Sequence, residues 1–239
     1  MKSELRLAML VSGGGTTAQY IIRACQSGEL KGICPAVVMS NRKSAGGLVK
    51  AQALGASTET IRPFYSCPTA LGEEILKLCK KHSVDLIGQY GWLCKTPPNV
   101  IEAYQGMIIN QHPGPLDFGR PDFGGQGMYG RRVHAARLLF VRAVGYDYWT
   151  EACAHRVTAE YDKGAVLCRQ AVEIQPDHDP ITLQELVLPV EYRVQVKTLA
   201  DFAAGNVREV MRDKLLVRRE DVSLLHNAKE TACLLFPRG

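Results

Sequence analysis

Three groups of residues in this chain combine types and spacing that suit chemistry on a small anionic molecule. The first is Ser12-Gly13-Gly14-Gly15-Thr16-Thr17-Ala18, which follows an apolar run and opens a helical stretch. Glycines there expose backbone N–H groups, and the start of a helix adds the positive end of its dipole, so the turn is suited to a phosphate. Gly13-x-Gly15-x-x-Ala18 also fits the dinucleotide fingerprint, a weak signal alone. The acidic residue expected about 20 positions on is replaced by Ser40-Asn41-Arg42, which argues against NAD and leaves NADP open. No lysine follows the last glycine, and that excludes a P-loop. A tight turn with no ligand is the plain alternative.

The second group is Asn110-Gln111-His112-Pro113, at the end of another apolar run. The carboxyl ends of parallel strands border the ligand crevice of an open sheet, so an amide donor and an imidazole one residue apart are able to address one reacting atom. An ordinary loop or core histidine is an equally good reading of the spacing alone. The third is Asp162 in Glu160-Tyr161-Asp162-Lys163-Gly164, where Asp-Lys-Gly is also ordinary turn chemistry.

The elements that must position these residues follow from periodicity. Leu5–Val11, residues 34–40, 56–64 and 84–92, and a run ending at Asn110 read as strands. Helical stretches over 18–25, 45–55, 68–83 and 96–104 alternate with them. Buried strands alternating with amphipathic helices predict an α/β fold, a doubly wound and mostly parallel sheet with a Rossmann-like N-terminal half. Residues 113–130 hold six glycines and three prolines and read as a long loop. A helix from Arg131, two strands joined near Asp162–Gly164, and a helix of about 25 residues with a break at Pro189 complete a domain over 1–205. Residues 206–239 form an extension packed on it, read as a hairpin around Lys214–Glu220.

Composition narrows the function classes. The chain has 239 residues, 46% hydrophobic and 22% charged, which excludes disorder and a disulfide miniprotein. No run of about 18 apolar residues exists to cross a membrane, and the first apolar stretch is broken by Glu4 and Arg6, so a cytoplasmic protein is expected. Eight cysteines with no Cys-x-x-Cys pair read as reduced core residues, and no cluster stands at metal-ligand spacing. A net charge of +5 suits an anionic small molecule and falls short of a nucleic-acid binder. Arg131, Arg132, Arg137 and Arg142 accordingly read as a solvated helix face.

Taken together, LVSGGGTTAQYIIRAC, VVMSNRKSAGGLVKAQALG, IINQHPGPL and HRVTAEYDKGAVL resemble the corresponding segments of the folate-dependent formyltransferases, from about Leu5 to about Gly205. The Ser-Gly-x-Gly-Thr opening is similar to the branch that acts on glycinamide ribonucleotide in purine biosynthesis. The resemblance implies 10-formyltetrahydrofolate as co-substrate, no metal, and a monomer or homodimer acting on small molecules without nucleic acid or membrane. It implies catalytic roles for Asn110, His112 and Asp162, and phosphate binding by Gly13, Gly14, Gly15, Thr16 and Thr17. Glu191 is implied to hold the glycinamide end, and Tyr90, Gly91, Trp92, Leu93 and Tyr161 to flank the folate.

Two departures stand out. Gly91-Trp92 replaces the Met-Arg frequent in the family, and residues 117–149 place His112 and Asp162 about a dozen positions further apart than is usual there, as a lid or a surface elaboration. The residue types fit formyl transfer, in which an amide and an imidazole stabilise a tetrahedral oxyanion and a carboxylate takes a proton. Rival readings are another folate-dependent N-formyltransferase, a 10-formyltetrahydrofolate hydrolase, an NADP-dependent oxidoreductase, though no Tyr-x-x-x-Lys pair is present, and a non-catalytic binding module of the same fold.

Overall fold

The computed structural model describes residues 4–62, 67–237 and 239. Seven strands form one sheet in the order β3-β2-β1-β4-β5-β6-β7. These are β1 (Leu5–Val11), β2 (Ile33–Ser40), β3 (Thr58–Thr60), β4 (Leu86–Gln89), β5 (Ile108–His112), β6 (Trp149–Arg156) and β7 (Val166–Glu173). The β1–β2, β1–β4, β2–β3 and β4–β5 pairs are parallel, and β6–β7 is antiparallel. The fold is therefore α/β with a mostly parallel sheet.

The chain divides into two compact units. One comprises Met1–Gln111, Arg156–Ala159 and Gln195–Val207; the other comprises His112–His155, Glu160–Val194 and Arg208–Gly239. In the first, β1 is apolar from Leu7 to Val11 because both faces are covered there, and these five residues are fully buried. Helices α1 (Thr16–Ser27), α2 (Gly46–Ala53), α3 (Pro68–Lys81) and α4 (Pro98–Ala103) link its strands. Leu10, Met39, Ile75, Ile87 and Ile108 share one core there, and full burial of such a side chain stabilises by about 1.5–3 kcal/mol.

In the second unit, α5 (Arg131–Val144) and α7 (Val222–Leu235) pack on each other, with Phe140, Val141, Leu225 and Ala232 in a common core. A long helix, α6 (Pro180–Ala203), starts in this unit.

Several boundaries differ from expectation. The strand bearing Asn110 runs on to His112. The third strand is only Thr58–Thr60, and Pro63 and Phe64, expected within it, lie outside the described residues. The β6–β7 connection spans 157–165, with Asp162 in a turn inside it as expected. Pro189 lies inside an unbroken α6. Residues 214–218 form no hairpin: after a single 3-10 turn, Arg219–Asp221, the tail becomes α7, whose Leu225, Ala228 and Ala232 at helical spacing are its buried face.

Candidate active site

The glycine turn links β1 to α1 as the alternation of apolar run and glycines predicts. Gly15 has φ +61 and caps α1 in the left-handed region, and an added Cβ would overlap the Cα of Gly47 at the start of α2. A Cβ at Gly13 or Gly14 would meet nothing within 4 Å, so those two backbones border open space. The turn is braced by the segment after β4: Ser12 N donates to Gly91 O at 3.0 Å, and Leu93 N donates to Ser12 Oγ at 3.1 Å. Gly91 takes φ +75, Tyr90 and Trp92 are buried, and Leu93 is exposed. The structure thus brings the glycine turn and residues 90–93 together. On the adjacent strand, Asn110 pairs with Gln89 across β4 and β5, and alternation places Asn110 and His112 on one face of β5.

The second unit assembles a buried charge cluster. His112 Nδ1 lies 3.7 Å from Asp162 Oδ2, and His155 Nε2 lies 3.4 Å from Asp162 Oδ1. Asp162 adopts φ +57, a left-handed conformation that Asp tolerates better than most residues and that tends to mark functional sites. A turn of the glycine-rich loop reaches the same cluster. Gly125 N donates to Asp162 Oδ2 at 2.9 Å, and His112 Nε2 lies 3.2 Å from Phe123 O. A carbonyl can only accept, so Nε2 carries the proton and Nδ1, facing Asp162, is the nitrogen free to gain or lose one. Gly124 is required here because a Cβ would come within 2.7 Å of Asp162 Cβ.

Electrostatics separate the two partners. Burial alone would raise the Asp162 pKa, but His112, His155 and the Gly125 amide overcome it and hold the carboxyl well below its usual range. Burial drives the His112 imidazole below its usual range, and Asp162 and the Phe123 carbonyl oppose that drive. The result is an ionised carboxylate beside an imidazole that can be neutral at rest and accept a proton when negative charge develops nearby.

The profile of the formyl transferase family matches residues 5–199 of the chain. The chain belongs to the formyl transferase family. It is 29% identical over 230 residues to a chloroplastic phosphoribosylglycinamide formyltransferase of Arabidopsis thaliana, covering 93% of this chain and 70% of that protein. It is 29% identical over 211 residues to phosphoribosylglycinamide formyltransferase of Haemophilus influenzae, covering 88% and 92%. Glycinamide ribonucleotide transformylase 1 from Symbiobacterium toebii superposes with a TM-score of 0.75 at 25% identity, covering 88% of this chain and 96% of that one.

Glu191 is buried on α6, and Tyr161, next to Asp162, is exposed. Arg137 is not part of a solvated face. It is fully buried, donates to Trp149 O at 2.6 Å and Asp147 O at 2.8 Å, and stacks on Phe123 and Trp149. Its position midway between Val133 and Val141 on α5, four residues from each, was the signal for an inward direction. Phe123 and Gly125 act through backbone groups, which residue type does not reveal, whereas His155 joins the cluster through its side chain. Among the described residues no group of three or more His, Cys, Asp or Glu side chains could hold a metal ion, and no helix is long and apolar enough to cross a membrane.

Proposed function

We propose that this chain transfers a formyl group from 10-formyltetrahydrofolate to the amine of glycinamide ribonucleotide, the step for which its relatives are named. The observation that carries the chemistry is the His112–Asp162–His155 cluster. In this reading the acceptor nitrogen attacks the formyl carbon, and the carbonyl oxygen becomes an oxyanion that Asn110 and His112 stabilise by donation. The Asp162 carboxylate takes the proton shed by the amine, directly or through one water, or holds the His112 imidazolium in place. The carbon–nitrogen bond to the folate then breaks, and the folate nitrogen leaves with the proton that the amine shed.

Gly13, Gly14 and Gly15, with Thr16 and Thr17, are assigned to the acceptor phosphate, Glu191 to its glycinamide end, and Tyr90 to Leu93 with Tyr161 to the folate. Residues 1–205 then make up the catalytic domain and 206–239 an extension of it. Eight cysteines, none of them joined in a disulfide among the described residues, suit a reducing compartment such as the cytoplasm. The test is incubation with 10-formyltetrahydrofolate, with and without glycinamide ribonucleotide. Folate product only when the amine is present supports the reading; product without the amine, or none in either case, refutes it.

A further inference from the structure

The turn that holds both members of the buried pair is itself held by a residue outside the stretch matched by the family, residues 5–199. Lys229 on α7 donates from Nζ to Asp122 O at 3.2 Å and to Gly124 O at 2.6 Å. The carbonyl between them, Phe123 O, receives His112 Nε2, and the next amide, Gly125 N, donates to Asp162 Oδ2. One ammonium therefore fixes the two peptide groups flanking the one that orients the imidazole. The turn is tied at two more points: Gly124 N donates to Asp122 Oδ1 at 3.1 Å, and Lys163 Nζ lies 3.2 Å from the same oxygen. Lys229 is only partly exposed, and it lines a cavity of about 410 Å³ with Arg120, Asp122, Lys163, Leu225 and His226.

We propose that Lys229 is a positioning residue for formyl transfer, acting through the 122–125 turn to keep the permanent proton of His112 on Nε2 and so leave Nδ1 as the nitrogen that titrates against Asp162. The inference rests on the reading of His112 and Asp162 as the reacting pair. Without the ammonium the two flanking carbonyls turn toward water in the adjoining cavity, Phe123 O leaves its position, and the neutral imidazole distributes its proton between both nitrogens.

The test uses the full chain with 15N-labelled histidine, comparing wild type, Lys229→Met, which keeps length without charge, and Lys229→Arg. The His112 ring signals are identified by their loss in His112→Asn. In the wild type the shifts should report the Nε2–H tautomer, and in Lys229→Met a mixture. The kcat of Lys229→Met should fall by about tenfold or more with both KM values within about threefold, as for an interaction expressed in the transition state. Lys229→Arg should return both readouts to near wild type. A wild-type tautomer or a wild-type kcat in Lys229→Met overturns the proposal, as does a defect carried by KM. If Lys229→Met does not fold, Lys229→Gln takes its place, and failure of both to fold makes Lys229 a folding determinant and overturns it too. Should the wild type transfer no formyl group, the functional reading has failed, and the tautomer alone decides the role of Lys229.

Discussion

Gly15 and Gly47 pass so closely that neither side of the contact has room for a methyl group: a Cβ on Gly15 would overlap Gly47 Cα, and one on Gly47 would come within 3.1 Å of Gly15 Cα. The crossing locks the start of α2 onto the turn before α1, with Gly47 N donating to Gly13 O at 3.0 Å. Two kinds of glycine therefore occupy one turn. Gly15→Ala should lower stability by about 2–4 kcal/mol through left-handed strain and overpacking. Gly14→Val, whose Cβ projects into open space, should fold with near wild-type stability and raise the acceptor KM about tenfold or more by blocking backbone approach. Urea unfolding of the two variants beside acceptor titrations checks the contrast; an unchanged acceptor KM in Gly14→Val removes the turn from the site.

Asp162→Asn keeps both the shape and the tolerance for a left-handed backbone while removing charge and basicity. We expect kcat to fall at least about a hundredfold, with substrate dissociation constants changing less than about fivefold. The double variant with His112→Asn should be little worse than either alone, since groups acting as a unit are non-additive. Steady-state kinetics with separate binding titrations measure this, and retention of more than a tenth of wild-type kcat returns Asp162 to the role of a turn residue.

Trp92 is buried beside the glycine turn, and its indole Nε1 has no hydrogen-bond partner among the described residues. The other tryptophan, Trp149, is stacked against Arg137 and Arg212. If residues 90–93 flank the folate, its binding should quench Trp fluorescence, and Trp92→Phe should remove most of the quench. A variant that keeps the full quench contradicts the placement.

His134 on α5 is 1% exposed, its Nδ1 is without a partner among the described residues, and burial pushes its pKa down to about 3. The unfolded chain takes up a proton near pH 6.5 that the folded chain refuses, so stability falls as pH drops below that value. Between pH 7 and pH 5 the loss from this residue should be about 2 kcal/mol. Asp162 and Glu59, both lowered carboxyls, contribute little there because their unfolded forms are already ionised at pH 5. His134→Gln should flatten the profile by that amount in urea unfolding at the two pH values, and an unaltered slope would sink the assignment.

How much of this was legible in the residues depended on whether a group acts through its side chain or its backbone. The β1–turn–α1 unit was readable because an apolar run, three glycines and an amphipathic stretch have one simple solution. His112 and Asp162 were visible as types, and family resemblance supplied their pairing. The partners that orient them were not readable: a carbonyl at Phe123 and an amide at Gly125 leave no mark on composition, and only the glycines at 124 and 125 hinted that backbone must approach something closely. Arg137 was misplaced because charge outweighed position, although guanidinium stacking on aromatic rings lets an arginine face inward. The tail was misread because the alternation around Lys214–Glu220 is that of an irregular strap, and the helical period begins only at Val222.

The 122–125 turn also bears on how this protein can change in length. Surface loops ordinarily absorb insertions and deletions freely, and at Phe118 and Gly119, which are exposed and open, this one should do the same. Four residues later an added amino acid would shift the peptide facing His112 out of phase with the one facing Asp162. Duplications, grafted peptides and circularly permuted ends therefore have a tolerant window and a forbidden one within a single loop, only a few residues apart.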